Sequence, residues 1–226
     1  MPALSPAALR RVVPFVLFMA LLALRGLAPA DGSWGVDARW LYALNLVGVG
    51  GLLLWWWRDY GELASRQTWP TLRETALAVA VGLAVFVAWI HLDAPWMQIG
   101  QPTAAFVPLD AAGRLDWPLI VVRWIGAALL VPVMEELFWR SFLMRWLQQP
   151  QFEGLDPQRT GLKAVALSTF VFMLAHPLWL AAIVAGLAYA WLYIRSGRLW
   201  TAVIAHAVTN GALGIWVVAS GQWQFW

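Results

Sequence analysis

The chain has 226 residues and not one cysteine. Disulfides, Cys-ligated zinc and a cysteine nucleophile are therefore excluded. Charge is also scarce, at 12% of residues, where a soluble domain carries about 25%. No internal repeat and no low-complexity tract interrupts the sequence. The only sizeable non-apolar stretches are residues 61–73, 93–117 and 148–163. Apolar residues fill the remainder and reach 62% overall, against about 45–50% in a soluble domain. A soluble chain of this length has too little interior to hide that surface, so the bilayer must act as its solvent. The net charge of +3 is small and fits basic loops on one membrane face better than a nucleic-acid surface. Lipid is the expected surrounding, and nucleic acid is not an expected partner.

Seven apolar segments stand out, at roughly 12–27, 40–57, 75–92, 118–147, 164–175, 178–194 and 199–219. A spanning helix needs about 20 residues. The fourth segment exceeds that and must project or tilt. The fifth is short and stops at His176-Pro177, where proline ends a helix. The chain is rich in tryptophan, with 18 in all. Trp34, Trp40, Trp55 to Trp57, Trp117, Trp146, Trp200, Trp223 and Trp226 flank these segments, as expected of an aromatic belt at the headgroup level. Arg10 and Arg11 before an apolar run, with Ala28-Pro29-Ala30 after it, resemble a signal peptide. Proline is a poor match to a cleavage site and further spans follow, so an uncleaved first helix is expected. With a cytoplasmic N-terminus, eleven basic residues fall inside (Arg10, Arg11, Arg58, Arg66, Arg73, Arg140, Arg145, Arg159, Lys163, Arg195, Arg198). Four fall outside: Arg25, Arg39, Arg114 and Arg123. The expected fold is all-α and polytopic, a single membrane domain over residues 1–226 with about seven spans, N-terminus in. A bacterial inner membrane is its expected location.

Ionisable groups inside apolar helices are costly and mark function by default. Glu135, Glu136 and Arg140 lie in the fourth segment, His176 ends the fifth, and His206 and Asn210 share the seventh. Residues four apart share a helix face. That spacing lets Glu136 pair with Arg140, aims His206 and Asn210 at one spot, and aligns Phe172 with His176. Glu135 lies about 140° around the helix from Arg140 and is the carboxylate less easily neutralised. A free carboxylate, two imidazoles and an amide suit water-dependent amide hydrolysis, with Glu as general base, His as orienter, proton donor or metal ligand, and Asn or His at an oxyanion. Counting along the helices puts these groups in the inner half of the bilayer, in a cavity expected to open to the cytoplasm.

Glu135-Glu136-xxx-Arg140, Phe172-xxx-His176 and His206-xxx-Asn210, in that order on successive apolar helices, resemble the three motifs of the CPBP family of CAAX proteases and bacteriocin-processing enzymes. The resemblance covers residues 118–218, nearly half the chain, as a motif-bearing catalytic core. The short length, the Trp-rich helices and Trp89-Ile90-His91-Leu92-Asp93 are similar to the branch found with bacterial exosortase systems. The resemblance implies an intramembrane endopeptidase acting on a membrane-associated peptide or protein, lipid-modified or membrane-anchored substrates included. It implies Glu135 as catalytic base, His176 positioning water, His206 and Asn210 at the oxyanion, and Glu136, Arg140 and Phe172 in support. The family is called metalloprotease-like, with Glu135, His176 and His206 as candidate ligands. His-Glu-x-x-His is absent, so zinc and a metal-free mechanism both stay open.

Blander readings stand beside these. Glu136–Arg140 alone is more often a structural ion pair, a lone membrane His or Asn an interhelical hydrogen-bonding group, and Phe172 a core residue. The coincidence of all of them favours a joint site. His91 and Asp93 read as a local surface pair, and Arg123 as a snorkelling anchor at an outer helix end. Two rivals to the protease remain: a catalytically silent membrane scaffold or immunity protein on the same fold, and a proton-coupled transporter using Glu and His as a relay. A transporter would show paired repeats or matched broken helices, and none is visible.

Overall fold

The computed structural model describes residues 4–28, 35, 37–100 and 106–226. Trp34 of the aromatic belt, and Pro29 and Ala30 of the signal-like stretch, lie outside the described residues. Seven long helices occupy the seven apolar segments to within a few residues. They are α1 (Pro6–Gly26), α2 (Ala38–Trp55), α3 (Leu72–His91), α4 (Trp117–Gln148), α5 (Leu162–Leu174), α6 (Trp179–Ser196) and α7 (Leu199–Ser220). No ladder of β-strands forms among the described residues; a single bridge joins Leu109 and Leu115. The protein is an all-α polytopic membrane protein.

Local chemistry fixes several helix ends. The Ser5 hydroxyl accepts from the Ala8 amide at 3.2 Å, satisfying an orphan donor of the first turn. Thr71 and Glu74 form a reciprocal capping box at the start of α3. Gly197 and Gly221, both at φ 70°, end α6 and α7, where a Cβ would be strained. Six of the helices are long and apolar enough to cross a membrane. The fifth is not, which corrects the count of seven full spans. Its 13 residues reach about 20 Å at 1.5 Å per residue, against a hydrocarbon core of about 30 Å. It stops within the protein, with the His176 amide bonded back to the Met173 carbonyl, and the chain turns at Pro177 into α6.

The helices alternate in direction, and interhelical bonds tie each end together. At one end Arg10 pairs with Asp59 at 3.0 Å, Arg198 with Glu74 at 2.6 Å, and Gln158 donates to the Arg195 carbonyl. At the other, Arg39 donates to the carbonyls of Val107 and Leu109, the Ile99 amide to Pro177 and the Phe106 amide to Trp226. Arg11, Arg140 and Arg145 are not loop charges as the sequence count assumes; all three are buried with partners. The basic asymmetry between the two ends survives without them, because eight basic residues remain at the first end against Arg25, Arg39 and Arg114 at the other.

Among the six membrane-length helices α7 and α6 are the most buried, and six of the 13 residues of the short α5 are buried as well. Outward positions such as Val47, Leu54 and Ile215 are apolar and exposed, as a lipid-facing surface requires. Gly82 lets α3 and α7 approach closely. A Cβ there would run into the Ala205 carbonyl and come within 2.9 Å of the Val208 Cβ. The approach also lets Thr209 donate to the Gly82 carbonyl at 2.8 Å. Gly82→Ala is therefore expected to destabilise the bundle by about 1–3 kcal/mol through overpacking. Gly51→Ala, where a Cβ meets nothing, should leave stability unchanged. Thermal unfolding of the two variants in detergent checks the contrast.

Candidate active site

Helix α4 is irregular where the candidate residues lie. A regular stretch, Val131–Glu136, is flanked by wide π-helical turns at Gly126–Leu130 and Leu137–Met144, a feature frequent at functional sites. In the first wide turn the Val131 amide bonds the Gly126 carbonyl, five residues back. The next amide in that register belongs to Pro132, which has no N–H. The Ala127 carbonyl is left over, and Asn210 on α7 takes it, donating from Nδ2 at 2.9 Å. A proline thus frees the acceptor that fixes Asn210. The second wide turn brings Arg140, Ser141 and Arg145 onto the buried side of the helix.

Glu136 is fully buried. Its Oε1 accepts from Arg140 Nη1 at 3.1 Å and meets Nδ1 of His206 at 2.8 Å. An ionised carboxylate can only accept, so Nδ1 of His206 carries the hydrogen and Nε2 is left for another partner. Arg140 is wedged further. It donates to the Gly186 carbonyl at 3.4 Å and lies 4.6 Å from the Phe172 ring centroid and 5.4 Å from that of Tyr189, within cation–π range. Phe172 also packs at 4.3 Å against His176. It is the ring between the arginine and the second histidine. Sequence spacing anticipates the Glu136–Arg140 pair; the tie from Glu136 to His206 crosses two helices and is invisible to it.

Glu135 points elsewhere. It is 8% exposed and its Oε2 is buried without a hydrogen-bond partner. It lines a cavity of about 170 Å³ together with His176, His206, Asn210 and Phe172, whereas Glu136 and Arg140 do not reach the cavity wall. Nδ1 of His176 is bonded to the Phe172 carbonyl at 2.8 Å. A carbonyl accepts, so His176 also keeps its Nε2 free. Tyr189 and Thr209 line the same cavity and escape the sequence reading. The Tyr189 hydroxyl donates to Thr209 at 2.7 Å, and its ring stacks on His206 at 5.0 Å. The signal for Thr209 is its place one helical turn after His206. For Tyr189 it is a hydroxyl in an otherwise apolar stretch.

Three expectations are corrected. The cavity does not open to the basic end. That end is closed by Glu136–Arg140, by Arg11 with Glu62 and Ser141, and by Arg145 bonded to Tyr193 and the Phe152 carbonyl. The cavity instead continues into a second one of about 480 Å³ at the opposite end. Arg123 is not a lipid-facing anchor but lines both cavities, because its guanidinium lies over the Tyr42 ring, 4.6 Å from the centroid. His91 bonds the Val87 carbonyl of its own helix rather than Asp93, and Asp93 lines the outer cavity.

Glu135, His176 and His206 are the candidate zinc ligands. Among the described residues, no three His, Asp or Glu side chains stand close enough together to hold a metal ion, although each histidine, bonded through Nδ1, keeps Nε2 free. These donors do not fit a preformed three-ligand zinc site.

An apolar helical bundle that encloses a free carboxylate, two imidazoles and an amide defines the class: a polytopic membrane protein with a buried polar cavity. Within it, residues 117–212 match the model of the family described as type II CAAX prenyl endopeptidase Rce1-like. The match spans all three motifs and covers less than half of the chain. It agrees with the CPBP resemblance carried by those motifs. No curated protein and no solved structure matches the chain.

Proposed function

We propose that the protein is an intramembrane endopeptidase that hydrolyses a peptide bond of a membrane-associated peptide or protein. The observation that carries this reading is Glu135: a carboxylate without a hydrogen-bond partner at Oε2, on the wall of a cavity shared with His176, His206 and Asn210. The Rce1-like match over the same helices supports a CAAX-type peptidase.

The proposed mechanism uses only these side chains. Glu135 takes a proton from a water in the cavity as that water attacks the scissile carbonyl. His176 orients the water through its free Nε2. Nδ2 of Asn210 has one hydrogen committed to the Ala127 carbonyl and one left for the developing oxyanion. For His206 to donate to the same oxygen it must be the imidazolium, because Nδ1–H is already given to Glu136. Glu136 then serves as its counter-charge and positions it. Glu135 returns its proton to the leaving amine.

The test is cleavage of a quenched-fluorescent peptide pool by purified protein in liposomes. Activity should fall by about 10²–10³-fold in His206→Ala, as for loss of one oxyanion donor, with thermal stability checked in parallel. Unchanged turnover in a folded His206→Ala variant would remove His206 from the mechanism. A transporter is less well supported, since the charged clusters closing the basic end leave no described path across the bundle.

A further inference from the structure

The second cavity has its own chemistry. Trp89, Arg123, His176, Phe225 and Trp226 line both cavities and so form the neck between them. The outer cavity lies at the end of the bundle that holds Arg25, Arg39 and Arg114, away from the eight basic residues of the other end. Basic residues concentrate on the cytoplasmic side of membrane proteins, so the mouth faces the extracytoplasmic side.

Arg123 is the cation of the neck. Its guanidinium lies 4.6 Å from the Tyr42 centroid and 5.8 Å from that of Phe106. Arg25 stands on the same Phe106 ring at 5.4 Å, so two like charges converge on one aromatic. No carboxylate pairs with either arginine among the described residues. The Nε of Arg123 is buried without a partner. The two acids that face the neck, Glu135 within and Asp93 without, leave it unpaired. With its flat face against rings and its Nε enclosed, the guanidinium has its Nη groups left for a ligand, and a pair of Nη–H donors matches a carboxylate with two parallel bonds.

We propose that substrate enters from the extracytoplasmic side and that Arg123 anchors a carboxylate of the incoming peptide in the neck, one step before Glu135. The peptide nature of the ligand rests on the hydrolase reading; the side of entry and the anion preference do not. The carboxylate is either a free C-terminus or an acidic side chain.

The absence of cysteine makes single-cysteine labelling clean. Gln224→Cys sits at the mouth and Gln151→Cys at the basic end, both exposed. In intact cells, membrane-impermeant thiol reagents should modify Gln224→Cys and reach Gln151→Cys only after the membrane is opened. An anionic reagent should outpace a cationic one of equal size at Gln224→Cys by roughly five-fold relative to a free thiol. Adding Arg123→Gln should erase that preference. Labelling of position 224 only from the side that reaches position 151 overturns the entry route. An unchanged preference in Arg123→Gln overturns the anchor. Peptide pools separate the sources: Arg123→Gln should raise KM for free acids but not for C-terminal amides if the terminus is bound. The KM should instead follow Asp and Glu against Asn and Gln if a side chain is bound. An equal effect on every pool overturns carboxylate recognition. If wild-type protein cleaves no pool, the hydrolase reading fails while the labelling results still decide entry and anchor.

Discussion

Glu135→Gln will abolish peptide hydrolysis while the protein still inserts and folds. The substitution keeps shape and volume but removes the base, and a positioned base contributes about 10²–10⁴-fold to such a reaction. The cost to the fold is small for a local reason. No hydrogen bond or ion pair to Glu135 exists among the described residues, so no partner is stranded when its charge goes. The cavity beside it can hydrate an amide as well as a carboxylate. The measurement is a rate on the peptide pool for purified wild type and variant whose thermal unfolding curves coincide. A Glu135→Gln protein that cleaves at a comparable rate would transfer the base role to another group, and Glu136 would be the first to examine.

The fold was legible where physics is one-dimensional. Apolar runs and their tryptophan and arginine flanks mark all seven helices, because length and hydropathy alone decide what the bilayer accepts. The four-residue spacings that place Glu136 beside Arg140 were legible for the same reason. What the sequence hid depends on how helices meet. Nothing in the spacing of Glu136 and His206 announces their hydrogen bond, 70 residues apart. The two wide turns of α4 alter the angular count along that helix, and only Pro132 hints at the first of them. Depth along an isolated helix does not reveal which way a cavity opens. Its direction is set by what plugs the other end: Arg11, Glu62, Ser141 and Arg145 come from three separate stretches of chain and pack together. The place of Arg123 depends on packing in the same way. An arginine near a helix end snorkels when it faces lipid, but Tyr42 and Phe106 draw this one inward.

Glu136→Gln should lower stability and activity together, and a second substitution should separate the two. Glu136 is fully buried, and one of its oxygens serves both Arg140 and His206. Removing one member of a buried ion pair typically costs about 3–5 kcal/mol, because the other charge is left uncompensated. Glutamine keeps an acceptor oxygen, so a loss at or below the low end of that range is expected, seen as a lower unfolding temperature in detergent. Neutralising Arg140 as well, in Glu136→Gln/Arg140→Gln, removes the stranded guanidinium. With no uncompensated buried charge left, stability should return part of the way towards wild type. Activity should not return. An amide at position 136 cannot act as counter-charge to a His206 imidazolium, nor does it compel Nδ1 to be the protonated nitrogen, since its own N–H₂ can face the ring. The double variant should therefore be folded and slow, with kcat reduced by roughly 10–100-fold, the size seen when an orienting partner of a histidine is lost, and KM little changed. Turnover that recovers in step with stability would assign Glu136 a purely structural pairing with Arg140. Stability that recovers alone would assign it the positioning of His206.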